Sequence, residues 1–322
     1  MDNLSNGPRA HWRGIKFLGE GISSRVGLWE YTDPDPNAPV PGGVRQIAVK
    51  ELKTSLPDPQ SFDLAREAAI LTKLRQSGSP HIAHLVHNPG PVTPDERLPP
   101  GRFDNVVRRI FLQYCSLGSL NDLLDRRIRL AIPFTELTLF RIFDCLVDGI
   151  SVLQYGNELL PDGVTTAFYV PPQPYEIPIV HFDLKPANKN RTIHPVHPLC
   201  KISDFGIAQN IPQPQSDYRD DQLWLDYYEG HRRSGTHGFY APEQFTERWD
   251  YNGWDRLQQG VDLAGMYQAT NIWGVGCIMY QLITMSKTPP DPKDPFLPQF
   301  DVRGRPPLGI TYGTDLQAYP FS

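Results

Sequence analysis

Two short polar stretches bracketed by apolar runs carry the densest chemistry of the chain. They are Val180-His181-Phe182-Asp183-Leu184-Lys185-Pro186-Ala187-Asn188 and Lys201-Ile202-Ser203-Asp204-Phe205-Gly206. Together they offer two carboxylates, a lysine and an asparagine amide. Phosphoryl transfer to a hydroxyl needs such a set: one carboxylate to orient the hydroxyl, one to hold Mg2+, an amide oxygen to complete the metal shell, and an ammonium against the migrating phosphate. Either stretch alone reads equally well as a solvated turn, since turns favour Asp and Gly. Their order and spacing taken together argue against that plain alternative.

Residues on loops need elements to position them. Ile15 to Trp29 reads as strand, glycine turn, strand, with Gly19 and Gly21 in the turn. Gln46 to Leu52 is a short β-branched strand carrying Lys50, and Val106 to Tyr114 is a second apolar strand. Phe62 to Leu74 has helical periodicity with Leu64, Ala68, Leu71 and Leu74 on one side. Glu67 falls on that inward side, where a carboxylate needs a cation. Thr135 to Tyr155 repeats apolar residues at Leu139, Ile142, Phe143, Leu146, Ile150 and Leu153, with Thr135 as N-cap. Ile272 to Ile283 is apolar nearly all round, the mark of a helix buried in a large domain. Between these lie Pro-rich excursions at 33–43, 88–105 and 160–178, and a smaller one at 192–198.

Composition sets bounds on function. At 322 residues and 39% hydrophobic the chain can bury a core, and its 33 prolines cluster in the excursions rather than in the periodic segments. A net charge of -5 disfavours a nucleic-acid surface, which needs a basic stripe. Cys115, Cys145, Cys200 and Cys277 are far apart without metal-ligand spacing and read as reduced, buried thiols of a cytoplasmic or nuclear protein. No signal-peptide pattern opens the chain, and no uncharged apolar stretch reaches membrane-spanning length.

In order and spacing these stretches resemble the eukaryotic protein kinase family, serine/threonine type. Asp183 to Asn188 resembles the catalytic loop H-x-D-L-x-x-x-N, with Lys185 two residues after Asp183, and Asp204-Phe205-Gly206 resembles the D-F-G metal loop. Gly19, Gly21 and Val26 resemble the glycine-rich loop G-x-G-x-x-G-x-V, with Ser24 where the third glycine belongs. The strand Ala48-Val49-Lys50 resembles V-A-I-K. Gly235-Thr236 to Ala241-Pro242-Glu243 resembles the A-P-E region.

The resemblance implies an α+β, two-lobed protein kinase fold. Its N-lobe (13–112) would be an antiparallel sheet plus one helix, followed by a hinge (113–118) and a mostly helical C-lobe (119–288) lacking its last helices. A flexible N-terminus (1–12) and a Pro-rich tail (289–322) would flank it. It implies ATP and Mg2+ as cofactors, with Val26 and Ala48 against adenine, Lys50 on the phosphates and Glu67 as its partner. The Gln113 and Cys115 backbones would bind the adenine edge, by register alone, with Leu112 as gatekeeper. Asp183 would orient a serine or threonine hydroxyl of a protein substrate, Lys185 stabilise phosphate charge, Asn188 and Asp204 hold metal, and Thr236 pack beside Asp183 and Lys185. Lys50 would thus serve the ligand rather than the core.

Three departures qualify this. Phe182 stands where the family has an Arg that reads a phosphate on the activation segment, which argues against that switch. Asn271 replaces the Asp of D-x-W, implying a weaker clamp on the catalytic loop. After Ile283 a Pro-rich tail stands where further helices are expected, and Glu243 loses the Arg that pairs with it in the family. These departures keep open a second class of function, a pseudokinase or scaffold that retains the fold without turnover. Protein substrates are the implied partners, with no nucleic acid and no membrane; the oligomeric state is left open.

Overall fold

The computed structural model describes residues 11–33, 35, 43–53, 64–87, 107–161, 168–169, 178–192, 198–210, 231, 234–241, 244 and 268–288. The chain forms two compact units, Met1–Ser116 and Leu117–Ser322.

The first unit is built on an antiparallel sheet of β1 (Trp12–Glu20), β2 (Ser24–Tyr31), β3 (Gln46–Leu52), β4 (Leu85–His87) and β5 (Arg109–Gln113), in the order β1-β2-β3-β5-β4. Residues directly opposite one another share a face. Val26, Lys50 and Ile110 make one such row, and Leu28, Ala48 and Leu112 the next row on the same face. Arg25, Glu51 and Arg109 make a charged row on the other face. Strand β1 begins at Trp12, inside the stretch expected to fray, because Thr32 N–H donates to His11 O at 2.7 Å and the Trp12 and Tyr31 rings meet edge-on at 5.4 Å.

Helix α1 (Ala65–Leu74) buries Glu67, Ala68, Ile70, Leu71 and Leu74, the inward face expected from their spacing. It spans Ala65–Leu74, with Leu64 as N-cap donating its N–H to Val107 O at 3.0 Å, while Phe62 and Asp63 lie outside the described residues. Strand β5 is likewise shorter than the expected Val106–Tyr114, spanning Arg109–Gln113.

In the second unit, α2 (Leu120–Leu130) opens on a capping box. Ser119 Oγ accepts from Asp122 N–H at 3.1 Å while Asp122 Oδ2 accepts from Ser119 N–H at 2.7 Å, so two donors that a helix start leaves unpaired are met. Helix α3 (Glu136–Tyr155) is capped by Thr135 Oγ1 on Thr138 N–H and ends at Gly156, whose φ of 75° suits glycine. Leu139, Ile142, Leu146 and Leu153 are buried as their spacing predicts, but Phe143 is 41% exposed. The buried stripe centres near Ile142 and Gly149, and Phe143 projects about 100° away from it at 3.6 residues per turn.

Short strand pairs hold the two chemical loops. β8 (Ile179–Val180) and β9 (Lys189–Thr192) flank the 181–188 loop, and β10 (Leu199–Ile202) and β11 (Gln209–Asn210) flank the 203–208 loop. β9 pairs with β10 and β8 with β11, so the loops are pinned side by side by a closed circuit of ladders. The excursion after α3 contains one further pair, β6 (Leu160–Pro161) with β7 (Phe168–Tyr169).

Helix α4 (Gln268–Thr284) lies against α3 and β8. It is not buried all round: Val275, Cys277, Ile278 and Leu282 are buried, while Ile272 is 58% exposed. Among the described residues no helix is long and apolar enough to cross a membrane. All four cysteines are free and buried, and burial pushes the Cys277 thiol up to about 12. The expectations for the tail 289–322, for the remaining Pro-rich excursions and for the Glu243 partner fall outside the described residues.

Gly274 is where α4 meets the 181–188 loop. A Cβ built there would lie 2.6 Å from Leu184 Cβ. Glycine to alanine in a helix normally stabilises by up to about 1 kcal/mol. Gly274→Ala is expected to do the reverse, lowering stability by about 1–3 kcal/mol through overpacking. Chemical denaturation of the two proteins checks the sign.

Candidate active site

In the first unit, Val26, Ala48 and Lys50 of the expected nucleotide residues share one face of β2, β3 and β5. Lys50 Nζ donates to Glu67 Oε1 at 3.0 Å and to Oε2 at 2.7 Å. Glu67 is only 1% exposed and Lys50 8%, so this is an ion pair taken out of water. That corrects the expectation that Lys50 serves a ligand alone, because it also neutralises a carboxylate of the packed helix face. Val26 sits in register between Gly19 and Lys50, and Ala48 between Leu28 and Leu112.

A Cβ at Gly19 or Gly21 would meet nothing within 4 Å, and neither has positive φ. The chain's own packing and backbone therefore do not require glycine at either place. Cys115 is buried. Gln113 N–H donates to His84 O at 2.9 Å, so Gln113 has no N–H to offer a ligand, which narrows the expected role of its backbone.

In the second unit, Asp183, Lys185 and Thr236 form a closed triangle. Lys185 Nζ donates to Asp183 Oδ2 at 2.9 Å and to Thr236 Oγ1 at 2.6 Å, and Thr236 Oγ1 donates to Asp183 Oδ1 at 2.6 Å. Asp183 is thereby held by a cation on one oxygen and a hydroxyl on the other. Both ionic side chains keep some access to water, at 13% for Asp183 and 23% for Lys185.

Behind this triangle sits His181, which is fully buried. Its Nδ1 accepts from Asp183 N–H at 3.2 Å, so its Nε2 carries the proton that Ser203 O accepts at 3.1 Å. That one ring links the catalytic-loop backbone to the residue before Asp204. Asp204 itself is exposed, with φ of 65°, followed by a fully buried Phe205 whose ring lies 4.8 Å from that of His181. A non-glycine residue in the left-handed region costs of order 1–3 kcal/mol and persists where its surroundings enforce it. Asn188 ends the 3-10 turn Pro186–Asn188, and its side chain lies outside the described residues.

Asn271 does more than its spacing suggested. Its Oδ1 accepts from His181 N–H at 2.9 Å, and its Nδ2 donates to Ile179 O at 2.9 Å. An aspartate could make only the first of these. The clamp is therefore bidentate and neutral in a place that is 2% exposed, adding a donor role to the acceptor role expected of it.

Sequence spacing also missed Gln244 and His231. Gln244, 2% exposed, donates through Nε2 to Ser234 O at 3.0 Å and accepts through Oε1 from Ala241 N–H at 3.0 Å. His231 stacks on Phe182 with centroids 5.1 Å apart. No periodic or motif signal marks either residue.

Comparison with known proteins agrees with this geometry. The family model for the protein kinase domain matches residues 42–295, leaving Gly19, Gly21 and Val26 outside the match. The serine/threonine-protein kinase mph1 of Schizosaccharomyces pombe is 34% identical over 106 residues, which is 33% of this chain and 13% of that protein. The serine/threonine-protein kinase PKH1 of Saccharomyces cerevisiae is 27% identical over 114 residues, 34% of this chain and 12% of that protein. The alignments thus span a small part of both relatives. Among solved structures, the CAK complex from Chaetomium thermophilum bound to ATP-γ-S matches with a TM-score of 0.51 at 20% identity, over 86% of this chain and 63% of that chain. That likeness shows the α+β protein kinase fold.

Asn271 gives a prediction that runs against restoring the residue expected from resemblance. Asn271→Asp keeps the acceptor for His181 N–H but sets a carboxylate against Ile179 O in a buried site. The lost bond alone leaves a buried group unsatisfied, at about 1–3 kcal/mol. Denaturation midpoints should fall for Asn271→Asp, and a midpoint at or above that of the wild type would refute the bidentate clamp.

Proposed function

Because the chain belongs to the protein kinase family, we propose that it transfers a phosphoryl group from Mg-ATP to serine or threonine hydroxyls of protein substrates. The observation that carries this reading is the Asp183–Lys185–Thr236 triangle. It holds a carboxylate in one orientation, partly open to water, beside a cation. An accepting hydroxyl and a phosphate in transit need that pairing.

The first unit fits the nucleotide. At Gly19 and Gly21 an added Cβ would meet none of the described residues within 4 Å, which is understandable if a ligand approaches their backbone. Lys50 and Val26 occupy one row of the sheet face, with Ala48 in the next. In the proposed roles Lys50 binds the phosphates, steadied by Glu67, while Val26 and Ala48 cover adenine and Cys115 offers backbone to its edge. Asp204, with Asn188, would hold the metal. Bound Mg-ATP would supply the transferable phosphoryl group and the divalent charge that neutralises its oxygens.

In the second unit the chain's own residues have distinct tasks. Asp183 orients the substrate hydroxyl and accepts its proton. Lys185 keeps charge near the transferring group. Thr236 fixes the Asp183 carboxylate and leaves Lys185 hydrogen-bonded on two sides. The alternative, a scaffold that keeps the fold without turnover, rests on the missing C-terminal helices and on Asn271; the two hydrogen bonds made by that amide are compatible with either reading.

Phosphate transfer from Mg-ATP to a generic basic protein tests the reading. Asp183→Asn should lose about 10²–10⁴-fold, the range for removing a positioned proton acceptor. Equal rates for Asp183→Asn and wild type would refute it.

Lys50→Met is expected to lose both transfer and stability. Removing one member of a buried pair costs about 3–5 kcal/mol. The double variant Lys50→Met with Glu67→Leu should recover stability and remain inactive. Recovery of transfer along with the melting temperature would remove Lys50 from the nucleotide site.

A further inference from the structure

Thr236 belongs to a loop, and a loop needs something to hold it against Asp183. Among the described residues, the contacts that do so, apart from those Thr236 makes with Asp183 and Lys185, come from rings, one amide and the backbone. Phe182 has φ of 62° and is 6% exposed, its ring packed face to face on His231 at an interplanar angle of 23°. Gly235, with φ of 116°, brings its backbone so close to Phe182 O that a Cβ would collide with it. Gln244 closes the far side. Its Nε2 reaches Ser234 O at 3.0 Å and His231 O at 3.4 Å, and its Oε1 takes Ala241 N–H. The 234–241 loop is tightened further by Phe239 N–H on Thr236 O at 3.0 Å and Gln244 N–H on Ala241 O at 2.8 Å.

Resting on the phosphotransfer reading, we propose that Phe182, His231 and Gln244 are positioning residues, a clasp that fixes Thr236 against Asp183 and Lys185. Among the described residues of this loop, the Thr236 and Ser234 hydroxyls are already engaged. Thr236 Oγ1 serves Asp183 and Lys185, and Ser234 Oγ lies 3.4 Å from His231 Nδ1. A phosphate on either would break contacts of the clasp rather than complete it. Phe182 fills with a ring the place next to Asp183, so the loop is gripped by stacking and by one amide that spans three backbone groups. The amide is the stronger part: truncating it removes the acceptor that Oε1 offers to Ala241 N–H in a buried site.

The test uses the full chain with His231→Ala, His231→Phe and Gln244→Leu, assayed with Mg-ATP and a basic protein. A displaced catalytic group loses rate rather than nucleotide affinity. His231→Ala and Gln244→Leu should therefore lower kcat by about 10–10²-fold, with the KM for ATP within about twofold. His231→Phe, which keeps the stack, should stay within about threefold of wild type. Amide hydrogen exchange across 234–241 is the second readout. Gln244→Leu should speed exchange there about tenfold or more while α3 is unchanged. If wild type transfers phosphate and neither His231→Ala nor Gln244→Leu changes kcat, the clasp is refuted. An inactive wild type refutes the proposed activity instead, and unaltered exchange in Gln244→Leu would then refute the clasp on its own.

Discussion

The arrangement of the catalytic loop depends on one buried side-chain amide. Asn271 ties α4 to the backbone on both sides of Val180, accepting from His181 N–H and donating to Ile179 O. From His181 the bonding passes through a single ring to Asp183 N–H and to Ser203 O. The two loops that carry the acidic residues are thus set by neutral hydrogen bonds, each inside a region from which water is excluded. Three residues further along the same helix face, Gly274 contributes by what it lacks, leaving room for Leu184. One residue bonds the loop and the other admits it.

The choice of neutral groups follows from magnitudes. A carboxylate in place of Asn271 would carry a desolvation cost of several kcal/mol, to be offset only by good pairing. The chain accepts that cost at Lys50 and Glu67 instead. Buried ion pairs are seldom better for stability than apolar residues of the same size, and the proposed phosphate contact would give this pair a task that apolar residues could not perform. The charged row on the opposite face is a different matter. Burial raises the Glu51 carboxyl, but the hydrogen bond and charge of Arg109, with Arg25 beside it, outweigh this and leave it below the usual carboxylate range. Arg25 is 46% exposed and Glu51 28%, so the row adds little to stability.

What could be read from the sequence was what lies close along the chain or repeats with a period. Asp183 and Lys185 are neighbours, and the helix period puts Glu67 on an inward face, while Lys50 was assigned through resemblance. Thr236 was reachable only through resemblance, since 53 residues separate it from Asp183. The second bond of Asn271 was not legible, because spacing names a residue but not the carbonyl lying opposite its NH2 group. Gln244 and His231 were invisible for a related reason: a loop residue acts through where the chain doubles back, and no period records that. Details on the helices have local causes. Leu64 is the N-cap of α1, its N–H on Val107 O and its carbonyl on Ala68 N–H, and Phe143 sits off the buried stripe by an angle that a list of apolar positions does not show.

The Pro-rich insertions are tolerable for a reason that the strand pairs make plain. The insertion between Thr192 and Leu199 opens from a ladder whose register, Leu199 with Thr192 through Ile202 with Lys189, is set by the strands and not by the turn. The insertion after α3 likewise begins in a small ladder of its own, Leu160 with Tyr169. Lengthening a loop whose ends are already paired costs only about 0.6 kcal/mol per doubling. Sequence can therefore accumulate outside the circuit of β8, β9, β10 and β11 at small cost. A single atom added inside it, at Gly274 or Gly235, meets Leu184 or the Phe182 carbonyl directly. The same contrast explains why the chemistry-bearing residues occupy short runs between long excursions: the tolerance to change ends where the two loops are bonded to each other.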